Sequence, residues 1–164
     1  MYPGVEPQFG LFYNYCLNFP RPSAKILDVY CKPHIDWKNL AVGVCLLFVH
    51  GKFDHNTKAW LVIWEAGIII QIPPGVFVAY PSSLFYHFNW DISTSDGSVP
   101  TQKTAEPLDG KMGRRSSVWF NQSSMFQTAE LGYNSVKAAE KAGIVDTSCD
   151  TQGLISNSNL FPRK

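Results

Sequence analysis

Short apolar stretches separated by proline, glycine and small polar residues run through most of the chain. Leu11–Phe19 is rich in aromatic residues and alternates from Tyr13 onward, the period of a half-buried strand. Pro20-Arg21-Pro22-Ser23 is a turn, and Ala24–Cys31 reads as the next strand. Ala41–Val49 is continuously apolar with β-branched residues, which predicts a buried strand. Trp60–Trp64 and Ile68–Ile72 flank Glu65-Ala66-Gly67, a tight hairpin with glycine supplying positive φ. After the Pro73-Pro74-Gly75 turn come strands at Val76–Tyr80 and Leu84–Trp90, and a last one at Arg115–Phe120. Met125, Phe126, Ala129, Leu131, Tyr133, Val136 and Ala139 then switch to helical spacing. Asn121 or Ser124 would cap that helix and Gly143 would stop it.

The pattern predicts about eight strands and one late helix, a mainly β sandwich or barrel. Residues 1–10 form an entry arm, 11–143 the domain, and 144–164 a polar tail. Residues 91–113 carry no periodicity and read as a long loop over a site.

The 164 residues suit one domain with a sizeable core, and 45% hydrophobic content excludes a disordered chain. A net charge of +1 gives no general pull toward nucleic acid or membrane, so any basic surface is local. Cys16, Cys31, Cys45 and Cys149 form no C-x-x-C pair, which argues against zinc and for a reducing intracellular compartment. The first residues lack a signal-peptide pattern, and the longest apolar run, Ala41–Val49, is too short to span a bilayer.

The candidate chemistry lies in Lys32-Pro33-His34-Ile35-Asp36-Trp37-Lys38-Asn39. His34 and Asp36 are two apart, so on an extended chain both project to one side. Pro33 favours that extended backbone before them. His87, in a later strand, would complete a facial triad of two histidines and one carboxylate. That set holds Fe(II) and leaves positions open for O₂ and a chelating 2-oxo acid. The metal pattern selects a double-stranded β-helix, or jelly roll, over an immunoglobulin-type sandwich. Arg115 is the expected partner of the co-substrate's distal carboxylate, with Arg114 pointing to the other side of the strand. His50 and His55 read as strand-end and loop residues. Neither a nucleophile elbow nor a phosphate-binding glycine loop accompanies them.

Three stretches together resemble a known family. They are His34-Ile-Asp36-Trp-Lys-Asn39-Leu40, Pro73-Pro-Gly75 through His87, and Arg115-Ser-Ser-Val-Trp-Phe-Asn-Gln122. Their order is similar to that of the TET/JBP-type iron and 2-oxoglutarate dioxygenases, including those of mushroom-forming fungi. The likeness spans roughly residues 9–143. It implies a double-stranded β-helix, Fe(II), 2-oxoglutarate, and oxidation of 5-methylcytosine in nucleic acid, with methylated DNA as a candidate partner. By position it implies His34, Asp36 and His87 as iron ligands, Arg115 as the 2-oxoglutarate residue and Asn39 as a contact to the target base. The family's base-stacking aromatic, six residues after the arginine, falls on Asn121, and a histidine two further on is Ser123. Phe120 is expected to face away. Two other readings are a jelly-roll binding module without catalysis and an oxygenase of another substrate class.

Overall fold

The structure, a computed structural model, describes residues 6–26, 28–92 and 113–144. These fall into two compact units, one of residues 6–123 and one from Ser124 onward. The first unit holds all seven described strands: β1 (Asn14–Asn18), β2 (Cys45–Gly51), β3 (Trp60–Ile63), β4 (Ile68–Ile70), β5 (Phe77–Tyr80), β6 (His87–Trp90) and β7 (Arg114–Phe120). They form a four-stranded sheet, ordered β1-β7-β2-β5, and a three-stranded sheet, ordered β4-β3-β6. Every pairing is antiparallel.

The alternation in β2 explains how the sheets meet. Cys45, Leu47 and Val49 are buried, while Leu46, Phe48 and His50 are less so. The buried set joins Leu61 and Ile63 of β3 and Tyr80 of β5 in one hydrophobic core drawn from both sheets. Removing such side chains from water supplies the main drive for folding, roughly 1.5–3 kcal/mol for each large aliphatic group. On the other face of the larger sheet an aromatic row crosses the strands. Tyr15 and Trp119 rings are 5.3 Å apart, Trp119 and Phe77 6.0 Å, and Phe77 and Phe48 4.5 Å.

Among the described residues, the expected strand Ala24–Cys31 does not form. Pro22–Ala24 is a short 3-10 helix, ended by Lys25 in the left-handed region. Beyond it, Val29 and Tyr30 are buried without a strand ladder. Side chains satisfy most of this backbone instead: Asp28 accepts from Val29 N, Asn89 accepts from Cys31 N, and Arg114 donates to Val29 O, while Asn89 N donates to Cys31 O. A buried segment needs partners for its peptide groups, and side chains can supply what a neighbouring strand would. The strand expected from Ala41 starts only at Cys45, because Leu40–Gly43 closes a turn through Gly43 N to Leu40 O at 2.9 Å.

The second unit carries α1 (Ser123–Leu131) from Ser124 on, and α2 (Val136–Lys141). The single expected helix is thus two. Gly132, at φ 69°, takes a conformation that ends α1, and Ser135 restarts the helix by accepting from Ala138 N at 3.2 Å. Gly143 does close α2, as its position predicts: Gly143 N donates to Glu140 O and Ile144 N to Ala139 O, both at 3.0 Å. Asn121 caps neither helix; it accepts from Tyr13 N at 2.9 Å and ties down the residue just before β1. Most of the expected loop 91–113 and nearly all of the tail lie outside the described residues. Among the described residues, no helix is long and apolar enough to cross a membrane.

Candidate metal centre and its cavity

One strap of backbone brings the candidate ligands together. His34 pairs with His87 in an isolated antiparallel bridge: His34 N donates to His87 O at 3.2 Å and His87 N to His34 O at 3.0 Å. Residues so paired project their side chains to the same face. The two imidazole rings accordingly lie 4.2 Å apart. Asp36 follows two residues on, fixed by its N–H to Ser82 O at 3.0 Å. Further along, Asn39 bridges to Gln122, just past β7, and Leu40 N donates to Asn121 O at 2.7 Å. The strap therefore runs from β6 of the smaller sheet to the end of β7 in the larger.

His34 Nε2 is 3.5 Å from Asp36 Oδ1, and His87 Nε2 is 4.0 Å from Asp36 Oδ2. One donor atom from each of the three residues lies within 4.8 Å of the others. The far ring nitrogens are engaged: His34 Nδ1 lies 2.6 Å from Lys32 O, and His87 Nδ1 lies 3.0 Å from Phe85 O. A carbonyl accepts only, so each Nδ1 carries the proton and each Nε2 presents its lone pair to the centre. Two imidazole nitrogens and a carboxylate converging this way fit Fe(II).

The protonation states agree with that fit. Burial lowers the His87 pKa, and this ring, 3% exposed, is held neutral. The hydrogen bond to Asp36 raises the His34 pKa against the opposing effect of burial. Burial also pushes the Asp36 carboxyl up, but the hydrogen bonds of His34 and Ser82 and the nearby imidazoles outweigh it and hold it below the usual carboxylate range. A metal entering the site would meet an ionised Asp36.

These residues open on a cavity of about 320 Å³ between the sheets. Its wall includes Arg114, Ser116, Val118 and Phe120 of β7. Arg115, the expected inward arginine, faces the other way; side chains alternate along a strand, and the cavity takes the even positions of β7. The same parity turns Phe120 inward, contrary to expectation. Arg114 is 3% exposed; its Nη1 donates to Val29 O at 2.8 Å, and its Nε is buried without a hydrogen-bond partner. Cys31 and Cys45 also line the cavity, and burial raises both thiol pKa values, that of Cys45 to about 11. Without a metal both are protonated thiols, and neither belongs to the three-residue cluster. Asn39, expected at the target base, also lines the cavity, and its Nδ2 lies 3.3 Å from Asp36 Oδ2.

Arg114, Phe120 and Ser82 are the site residues that sequence reasoning missed. The apolar alternation of β7 held no clue to the first two, whereas Ser82 lies between the expected strands Val76–Tyr80 and Leu84–Trp90.

No protein-family model matches the chain, and no curated protein sequence matches it. Among solved structures, one of NgTET1 in complex with 5mC DNA is similar at a TM-score of 0.39 and 18% identity, over 66% of this chain. The aligned part is 33% of that chain, so this protein spans about a third of its length.

Proposed function

We propose that the protein is an Fe(II)- and 2-oxoglutarate-dependent dioxygenase built on a double-stranded β-helix, with 5-methylcytosine in DNA as its substrate. The observation that carries this reading is the convergence of His34, Asp36 and His87, donor atoms within 4.8 Å of one another, at the wall of a cavity that also holds a buried arginine. When bound, iron and 2-oxoglutarate supply O₂ activation: the 2-oxo acid becomes succinate and CO₂, one oxygen atom goes to succinate, and the other becomes a hydroxyl on the substrate carbon.

The chain's own residues hold and orient. His34 and His87 offer Nε2 because Lys32 O and Phe85 O hold their Nδ1 protons. Asp36 adds the anionic ligand. Arg114 is the residue proposed to receive the distal carboxylate, since a planar guanidinium with an unpaired N–H suits a bidentate partner. Phe120 offers a ring in the same cavity against which an extruded base would stack. With Asn39 Nδ2 turned to Asp36 and Ser82, the Asn39 carbonyl oxygen is the atom left to accept from a cytosine amine.

The test is succinate formation from 2-oxoglutarate under Fe(II) and O₂, with methylated and unmethylated DNA as substrates. Turnover stimulated by methylated DNA alone, and abolished in His34→Ala and Asp36→Ala, is the expected result. Turnover that ignores DNA methylation would move the proposal to another substrate class, and normal turnover in either variant would remove the ligand assignment.

A further inference from the structure

We propose that Ser82 is a positioning residue for the Asp36 carboxylate, acting through Asn39 to fix how that carboxylate is turned between the two imidazoles. The inference rests on the metal reading above.

Ser82 lies in the turn between β5 and β6 and is 1% exposed. A buried hydroxyl destabilises the fold unless it is hydrogen-bonded, and the partners of this residue belong to the site. Its carbonyl accepts from Asp36 N at 3.0 Å. Its hydroxyl oxygen accepts from Asn39 Nδ2 at 3.4 Å. Asn39 Nδ2 in turn donates to Asp36 Oδ2 at 3.3 Å, and Asn39 N donates to Asp36 O at 2.8 Å. Asp36 is thus gripped through its backbone on both sides and through its side chain by the Asn39 amide, which Ser82 Oγ holds in turn.

The grip is directional. Asn39 engages Oδ2, the oxygen 4.0 Å from His87 Nε2, while Oδ1 faces His34 Nε2 at 3.5 Å, so the contact fixes how the carboxylate is turned between the two imidazoles. A neutral donor fixes the carboxylate without cancelling its charge, so its attraction for a cation is kept. Ser83 secures the turn from the other side by donating from Oγ to Leu40 O at 3.3 Å, one residue past Asn39. Ser82 and Asn39 therefore move with the strap that carries the ligands. Loss of such outer partners of a metal ligand commonly weakens metal affinity 10- to 100-fold.

The experiment is anaerobic Mn(II) titration of the metal-free protein, with Ser82→Ala, Asn39→Ala and the double variant alongside, together with thermal melts of each metal-free form. The expected result is a loss of about 10-fold in affinity for each single variant. The losses in the double variant should be less than additive, because both residues act on one carboxylate. Metal-free melting temperatures should stay close to wild type. Wild-type affinity in either single variant overturns the proposal, as do additive losses or a loss matched by a general fall in melting temperature. If Ser82→Ala fails to fold, Asn39→Ala at the partly exposed position decides by the same criteria. Wild-type protein that binds no Mn(II) overturns the metal reading and this inference with it; wild-type binding with undiminished variants overturns this inference alone.

Discussion

Arg114 and Phe120, six residues apart, stand on the same face of β7 and line the same cavity as the His34/Asp36/His87 cluster. Between them on that face lie Ser116 and Val118, while Arg115, Ser117 and Trp119 occupy the other. The spacing of cation and ring equals the one the resemblance demanded, moved by one residue from Arg115 and Asn121.

The first prediction separates the two arginines. Arg114→Lys keeps the charge but replaces a planar fork with a point donor, so the 2-oxoglutarate concentration for half-maximal succinate formation should rise about 10-fold, on the order of 1.4 kcal/mol. Arg115→Lys, on the opposite face, should leave it unchanged. The reverse pattern would contradict the assigned parity.

A second prediction concerns the rings. Phe120→Ala should depress turnover on methylated DNA while leaving Mn(II) affinity near wild type, because stacking on an aromatic is worth roughly 1–3 kcal/mol per base. Trp119→Ala, from the outer aromatic row, is the control and should affect stability alone. Equal loss of DNA turnover in both variants would remove the stacking role.

Much of the fold was legible in the sequence because turns carry their own chemistry. The glycine and proline punctuation located β3 to β6 within a few residues, and the H-x-D spacing brought out both first ligands. Parity in β7 was not legible. Its two faces read Arg-Ser-Val-Phe and Arg-Ser-Trp, so neither hydrophobicity nor charge distinguishes inside from outside. The outer aromatic row is the reason: an exposed Phe77 and half-exposed neighbours blur the usual alternation. The segment after Ala24 misled for a different cause, since its partners are the side chains of Asp28, Asn89 and Arg114, which no local pattern reveals.

A third prediction tests how the start of β7 is anchored. Gly113 packs so closely that a Cβ there would come within 2.9 Å of Asp28 Cγ. Asp28 is fully buried and accepts from both Val29 N and Arg114 N, so it has little room to yield. Gly113→Ala should destabilise the fold by roughly 1–3 kcal/mol, read as a lower urea midpoint. An unchanged midpoint would mean that Asp28 does not hold Arg114 in this way.

A fourth prediction follows from the same carboxyl. Burial pushes Asp28 up from 3.8 to about 6, against the hydrogen bonds from Val29 and Arg114 and the Arg114 charge. The folded protein then binds this proton more tightly than the unfolded chain does. The stabilisation is fully present below pH 3.8 and is lost as pH rises through about 6. Asp36, held below its ordinary range, acts in the opposite direction, so the comparison must be made against Asp28→Asn. Relative to that variant, wild type should gain roughly 2 kcal/mol between pH 7 and pH 4 in urea unfolding. A difference that does not change with pH would contradict the assignment.

The central claim is that His34, Asp36 and His87 hold one ferrous ion beside a 2-oxo acid. Its most direct test is anaerobic addition of Fe(II) and 2-oxoglutarate to the purified protein, followed in visible absorption. The account predicts a weak charge-transfer band that saturates at one equivalent of iron and disappears in Asp36→Ala and His87→Ala. Saturating iron and 2-oxoglutarate with no band, or a band that survives in both variants, would contradict it.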